Sequence, residues 1–489
     1  MDGPGDILIG LRIEADKISR VFRPGEEKIL SQELSRDGED ALDCGGAHIV
    51  PGFADTHTHS FEGGFYHNCV SLKSSRDIEE VLQRLRSGRL IDGKMFAWEF
   101  DEHTVAENRW PSLEELDSVF PDIPVFIRRV DGHSSEVNTR AASLISWPGR
   151  VPDISAPLRG PDNHIASGWF HSGISDREIL KAYQTAAEIA LDGGIVRVHT
   201  MIGDGKSDMR HYRLIQDHIG DFPVEFVLYP QITDTRLAAD LGSSRIGGCL
   251  LADGSIGSKT AALFEEYADS PGSTGILYKS DEQWTDIMKP AFEAGLDFCV
   301  HAIGDRAVNQ IAGLYRDLSR RNPGVELRNQ VIHCEMTPDS VVEKLVQANA
   351  CCVMQPLFEA EWGGRTGLYA RRLGEERAAL CDRFRTLTDA GLLLTGGSDW
   401  YITEMDSIAG ISAAVNHHFS GESLSPYEAV AMYTANAAIL IGRGGFQGKI
   451  LPGYDAELTF LENDPMDFRN SPSNRVTATL IRDRYVKNG

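Results

Sequence analysis

The stretch Ala47-His48-Ile49-Val50-Pro51-Gly52-Phe53-Ala54-Asp55-Thr56-His57-Thr58-His59 reads as an apolar strand that ends in two histidines. In an extended chain, residues i and i+2 point to the same side, so the imidazoles of His57 and His59 can reach one metal ion. A polar loop carrying two unrelated histidines is the plain alternative. What the rest of the chain places beside them decides between the two.

Downstream, strand-like apolar runs alternate with amphipathic helical stretches, the pattern of a parallel sheet covered by helices. The strand candidates end near His59, His199, Tyr229, Asp253, His301, His333, Gln355 and Asp399. Helical candidates cover residues 176–191, 283–294, 306–321 and 338–348. Ala294-Gly295 and Ala390-Gly391 have the form of helix C-caps just before a strand. Eight such units predict an α/β fold, a (β/α)8 TIM-like barrel over residues 51–440. Residues 1–50 and 441–489 carry short alternating segments such as Ile7-Leu8-Ile9 and Ala456-Glu457-Leu458-Thr459-Phe460-Leu461, with no long helical pattern. Neither end is long enough for its own core. Together they predict a small composite β-sandwich formed by both termini, with two separate strand pairs as the alternative. Residues from about 64 to 180 are too many for a simple βα connection and read as an insertion that shapes the active site.

Bulk properties narrow the function. The chain has 489 residues, 42% of them apolar, enough for a substantial core. Its 72 acidic residues outnumber 48 basic ones, for a net charge of -24. Nucleic-acid binding needs positive surface to displace counterions, so this charge argues against it, and against an anionic membrane surface. Eight cysteines without a CxxC pair, several in apolar runs, suggest reduced thiols rather than a disulfide framework. No signal-peptide pattern and no membrane-spanning run is legible, so a cytoplasmic location is expected. Base rates for soluble enzymes make a homodimer the default.

In a barrel of this kind, reactive side chains come from the C-terminal ends of different strands. Here those ends supply His57, His59, His301, His333 and Asp399. Imidazole and carboxylate are ligands that borderline metals such as zinc prefer. His301 or His333 alone could be a structural strand-end histidine; their shared placement favours a metal site. Asp399 closes the run Leu392-Leu393-Leu394-Thr395-Gly396-Gly397-Ser398-Asp399. It could cap the next segment. Beside metal-held imidazoles it makes more sense as a general base that takes a proton from water and hands it to a leaving amine.

Four segments carry a resemblance: Pro51-Gly52-Phe53-Ala54-Asp55-Thr56-His57-Thr58-His59, Asp253-Gly254-Ser255-Ile256-Gly257-Ser258-Lys259-Thr260-Ala261, His301-Ala302-Ile303-Gly304-Asp305-Arg306-Ala307 and Gly397-Ser398-Asp399. With Gly448-Lys449-Ile450 and Gly453-Tyr454-Asp455-Ala456-Glu457, they resemble the metal-dependent amidohydrolase superfamily, in its YtcJ-like branch. The resemblance covers nearly the whole chain. It implies metal binding by His57, His59, His301 and His333, with Asp399 as ligand and proton shuttle. It also implies zinc, as one or two ions, and hydrolysis of a non-peptide C–N bond in a small amide, cyclic amide or N-acyl compound. Many relatives place a carboxylated lysine four residues before the Asp-Gly-Ser. Here that position is Cys249, either a zinc ligand or a buried thiol with no role.

Arg129-Val130-Asp131-Gly132-His133 resembles a family motif near the substrate. There His133 can hydrogen-bond the substrate carbonyl or stabilise an oxyanion, or be a turn histidine. Asp253 can orient a ligand or substrate, or simply make a turn. Lys259 stands where many relatives have arginine. His199 is expected behind the ligands or against substrate. Trp98, Trp169, Phe358 and Trp362 can line an apolar cavity or pack as core. His417-His418, on an expected helix, would point about 100 degrees apart and not chelate. Gly442-Arg443-Gly444-Gly445 lacks the context of a phosphate loop. Two rival functions stand beside the amidase. One is hydrolytic deamination of a cyclic amidine, disfavoured because Gly304 replaces the glutamate of a His-x-x-Glu. The other is a barrel that binds metal without catalysis.

Overall fold

A computed structural model describes residues 8–37, 41–130, 132–203, 209–469, 473–482 and 484–487. Ile7 of the first expected strand lies outside them. The chain divides into two compact units, Met1–His59 with Ala187–Gly489, and Ser60–Ala186.

In the first unit eight parallel strands appear in the expected order: β1 (Phe53–Thr58), β2 (Ile195–Ile202), β3 (Glu225–Pro230), β4 (Arg245–Leu251), β5 (Asp297–Ala302), β6 (Gln330–His333), β7 (Cys351–Met354) and β8 (Leu393–Gly396). One ladder runs β3-β2-β1 and another β4 to β8. Between β3 and β4, the Arg245 guanidinium lies 4.8 Å over the Tyr229 ring. Between β1 and β8, Thr58 bridges to Trp400 in parallel fashion. The strands are continuous apolar runs because both faces are covered; all eight residues of β2 are buried. Helices alternate with them. Asp305–Arg321 shows why the sequence folds so: Ala307, Val308, Ile311, Ala312, Tyr315 and Leu318 form one buried stripe. Asp305 in its first turn and Arg320 and Arg321 in its last complement the helix dipole.

The opening stretch is split by its glycine. His48–Pro51 leaves the barrel and pairs antiparallel with Leu458–Leu461, which pairs with Val476–Ile481, and that with Arg484–Lys487. Against this sheet packs the hairpin Gly10–Glu14 with Lys17–Phe22. Ile18, Ile450, Leu458, Phe460 and Ala478 form the shared core, so both termini contribute β structure around one core. A helix, Glu27–Asp37, also stands in the N-terminal segment, contrary to the expectation of strands alone. Ion pairs from Glu33 to Arg12 and Arg20, at 3.2 and 2.9 Å, hold it, and apolar periodicity does not register such a helix.

The second unit has its own sheet, ordered Val70–Ser71, Met95–Phe100, Val125–Arg129, Ser134–Val137 and Leu158–Arg159. Its core includes Leu82, Leu85, Phe100, Leu116, Val125 and Ile127. Within Ser134–Val137 the carboxyl of Glu136 is buried, and Oε2 has no hydrogen-bond partner. Burial first, then repulsion from Glu115, pushes its pKa up to about 8. The folded protein therefore holds a proton that the unfolded chain releases near pH ~4.5. Stability from this group is present in full below that pH and is lost as pH rises towards 8. Urea unfolding followed from pH 5 to 8 should lose on the order of a few kcal/mol in the native protein, and markedly less in Glu136→Gln. Equal slopes for the two proteins would contradict a buried neutral carboxyl.

Candidate metal centre

The C-terminal ends of the strands bring six donor residues together. In three overlapping trios, His57 with His59 and Cys249, Cys249 with His301 and His333, and His57 with His333 and Asp399, the donor atoms lie within 4.8 Å of one another. Five of the six are buried and His59 is half-buried. Asp399 Oδ1 stands 3.2 Å from Nε2 of both His57 and His59. The His301 and His333 rings meet edge to face at 4.5 Å, and His57 meets His333 at 5.3 Å.

The seam between β1 and β8 sets this geometry. The Asp399 amide donates to the His57 carbonyl at 2.8 Å, and the His59 amide to the Trp400 carbonyl at 2.7 Å. Asp55 Oδ1 accepts the His57 and Ser398 amides at 3.1 and 3.0 Å. A side chain at Gly397 would place its Cβ 2.7 Å from the His57 nitrogen, so only glycine lets the two strand ends approach this closely. His333 and Asp399 both hold left-handed backbone, with φ of 70 and 54 degrees, a conformation uncommon outside glycine.

Hydrogen bonds orient two of the rings. His333 Nδ1–H donates to Gln355 Oε1 at 2.7 Å, leaving Nε2 for a ligand. His301 Nε2–H donates to the Gly254 carbonyl at 3.2 Å, leaving Nδ1 facing Cys249 Sγ at 3.9 Å. His57 is fully buried, yet neither ring nitrogen has a hydrogen-bond partner, and Asp399 Oδ1 has none either. Buried donor atoms left without partners beside further imidazoles and a thiol suit a cation, and the nitrogen, sulfur and oxygen donor set suits a divalent metal of the zinc type.

Electrostatics point the same way. Burial alone would raise the Cys249 thiol, but the charge of His57 and hydrogen bonds from His301 and His333 hold it well below the usual thiol value. Burial alone would also raise Asp399, yet His57 and His59 hold it well below the carboxylate range. Burial opposes charge on His57 and His301, but Cys249, with Asp399 beside His57 and Asp253 beside His301, carries each up to about 9. Two anionic donors are thus embedded among imidazoles, and either protons or a divalent ion must supply the balancing charge.

The other expected site residues are not among the donors of these trios. Asp253 is fully buried; its carboxylate accepts the amides of Ala262, Ile303 and Gly304 at 2.8, 3.0 and 2.8 Å and so ties down the loop after β4. Lys259 pairs with Asp269 at 3.2 Å. His199 sits inside β2, three residues before its end, fully buried, with Nδ1 3.0 Å from the Tyr229 hydroxyl. Phe358 stacks on His333 at 5.8 Å, and Trp362 packs against Phe358 at 4.6 Å. His417 and His418 follow the end of helix Ser407–Val415 rather than continuing it, and both face Glu359 Oε1, at 3.4 and 2.9 Å. Trp98, Arg129 and His133 belong to the second unit, where His133 is exposed and Arg129 pairs with Glu102 and Asp101 at 2.8 and 3.4 Å. Asp131 lies outside the described residues. Gln355 and Asp55 were not singled out from sequence as site residues; a polar residue ending an apolar strand, and an acid two residues before His57, were the signals available.

A (β/α)8 barrel with such a donor cluster at its strand ends has the architecture of a metal-dependent hydrolase. The chain belongs to the amidohydrolase family, which it matches over residues 40–487. It is 26% identical to "Putative amidohydrolase YtcJ" of Bacillus subtilis (strain 168), covering 90% of this chain and 89% of that protein. It is 23% identical to the N-substituted formamide deformylase of Arthrobacter pascens, covering 92% and 89%. Its fold is like that of an uncharacterized metal-dependent hydrolase from Pyrococcus furiosus, with a TM-score of 0.79 at 24% identity over 93% of this chain and 95% of that one. No helix among the described residues is long and apolar enough to cross a membrane.

The Gln355 contact can be tested through metal affinity. Gln355→Leu should weaken metal binding by about 10- to 100-fold in competition with a chromogenic chelator, because the His333 ring loses its orienting acceptor. Gln355→Glu, which keeps an acceptor, should stay close to the native affinity. Equal affinity for the leucine variant would show that the contact does not orient the ligand.

Proposed function

We propose that the protein is a zinc amidohydrolase of small, partly apolar amides, cyclic amides or N-acyl compounds. The three overlapping donor trios formed by His57, His59, Cys249, His301, His333 and Asp399 carry this reading. His57, His59, His301 and His333 act as neutral imidazole ligands, with His301 using Nδ1 and His333 using Nε2. Cys249 joins them as a thiolate in place of the lysine of many relatives. When bound, zinc supplies Lewis acidity: it acidifies water towards a pKa of ~7 and polarises the scissile carbonyl. Asp399, held ionised, takes the proton of the attacking water and passes it to the departing nitrogen. The deformylase among the relatives makes N-substituted formamides a natural first substrate to try. His133, by sequence resemblance, is assigned to the substrate carbonyl. The eight free thiols support a reducing, cytoplasmic setting, and a homodimer remains the expected assembly.

Metal analysis of the native protein beside Cys249→Ala tests the ligand set. The variant should lose one bound ion, whether the native count is one or two; an unchanged count would remove Cys249 from the ligands. Among formamides, N-acyl amino acids and cyclic ureas, at least one class should be hydrolysed, with activity lost to a chelator and restored by zinc. Asp399→Asn should lower kcat by about 10²- to 10⁴-fold. Turnover unaffected by chelator would end the proposal.

A further inference from the structure

The second unit carries two adjacent arginines with opposite fates. Arg129 is neutralised by Glu102 and Asp101. Among the described residues, the Arg128 guanidinium has no hydrogen bond and no carboxylate within ion-pair distance, although the chain has 72 acidic residues against 48 basic ones. Its guanidinium is nevertheless held in place. It lies 5.0 Å over the ring of Tyr66, and Tyr66 stacks on Trp98 at 5.1 Å with 23 degrees between the planes. A Cβ at Gly132 would come within 2.4 Å of Arg128 Nη2, so the turn at Gly132, with φ of +72 degrees, makes the room the guanidinium occupies.

The sheet is built around this residue. The ladder between Met95–Phe100 and Val125–Arg129 is bulged after Ala97, so that Trp98 and Glu99 stand against Arg128 alone. Glu99, at φ of 58 degrees, is the acid nearest in the ladder, and its Oε2 accepts from Ser71 Oγ at 2.7 Å instead of meeting Arg128. Half-burying a guanidinium whose five N–H donors meet no acceptor is costly, and a π face compensates only part of the charge. A planar fork fits a carboxylate bidentately, and a half-buried indole beside it suits a flat apolar body.

We propose that Arg128, with Tyr66 and Trp98, forms a binding site for a carboxylate carried on a flat or apolar group. The site lies wholly within the second unit and does not depend on the hydrolytic reading. Benzoate is the probe, with benzamide as its neutral isostere and acetate as the carboxylate without a flat body. In calorimetric titrations of the full-length metal-loaded protein, benzoate should bind, acetate more weakly, and benzamide at least about tenfold more weakly, since hydrogen bonds to a charged group are the stronger ones. R128M should lose at least about tenfold in benzoate affinity with its metal content unchanged. R128K keeps the charge without the fork and should fall between; it also carries the test if R128M does not fold. Three results would overturn the proposal: no benzoate binding to the native protein, equal binding of benzoate and benzamide, or benzoate binding that disappears with the metal but is untouched by R128M and R128K.

Discussion

Closure of the barrel between its first and eighth strands is the constraint on which the donor cluster depends. His57 and Asp399 are separated by most of the chain, and the backbone bonds from Asp399 to His57 and from His59 to Trp400 bring their side chains to 3.2 Å. Thr56 Oγ1 adds a bond to the Gly396 carbonyl at 2.9 Å, and Asp55 bridges the two strand ends from below. Each bond that crosses the seam closes a very long loop, whose entropic cost is met only when the whole ring of strands forms together. The seam and the donor cluster therefore share one fate. At the opposite end of the strands, Arg197 is buried between Glu225 and Glu457, at 2.8 Å from each, and couples the barrel to the terminal β layer. Removing one partner of such a buried group strands the others without compensation, so the pairing makes the contact between the termini and the barrel specific to these residues.

The seam also concentrates charge. The surrounding imidazoles favour the anionic forms of Cys249 and Asp399, and left-handed backbone at His333 and Asp399 costs energy that ordinary packing has no reason to spend. Strain and buried charge at the same residues are expected where a site is organised in advance for a cation. Orientation comes from outside the cluster, through Gln355 behind His333 and the Gly254 carbonyl behind His301. Asp253 acts one step further back: by gathering three amides it fixes the loop that presents that carbonyl.

The second unit obeys separate rules. It has its own sheet and core, which is why its sequence breaks the strand-helix alternation of the barrel. Within it, one arginine is spent on acids and its neighbour is not. Successive strand residues face opposite sides, so the two guanidinia meet different surroundings although the sequence presents them as a pair.

Much of the barrel was legible from local pattern. Burial on both faces makes each barrel strand a continuous apolar run, and polar residues ending those runs fall at the mouth, so His57, His59, His301, His333 and Asp399 could be read as one set. Cys249 stood out only by resemblance, because a thiol inside an apolar strand carries no mark of its own. The helix Glu27–Asp37, held by ion pairs to distant arginines, had no apolar stripe to announce it. His417 and His418 were placed on a helix that stops at Val415, and only the fold turns both towards Glu359. The sequence by itself determined the strand periodicity and the kinds of donor at each strand end, because these follow from neighbours along the chain. Which nitrogen of His333 is free, which arginine of the pair is uncompensated and how near Cys249 lies to His301 were decided by tertiary structure alone, because each depends on residues that meet only when remote strands are laid side by side.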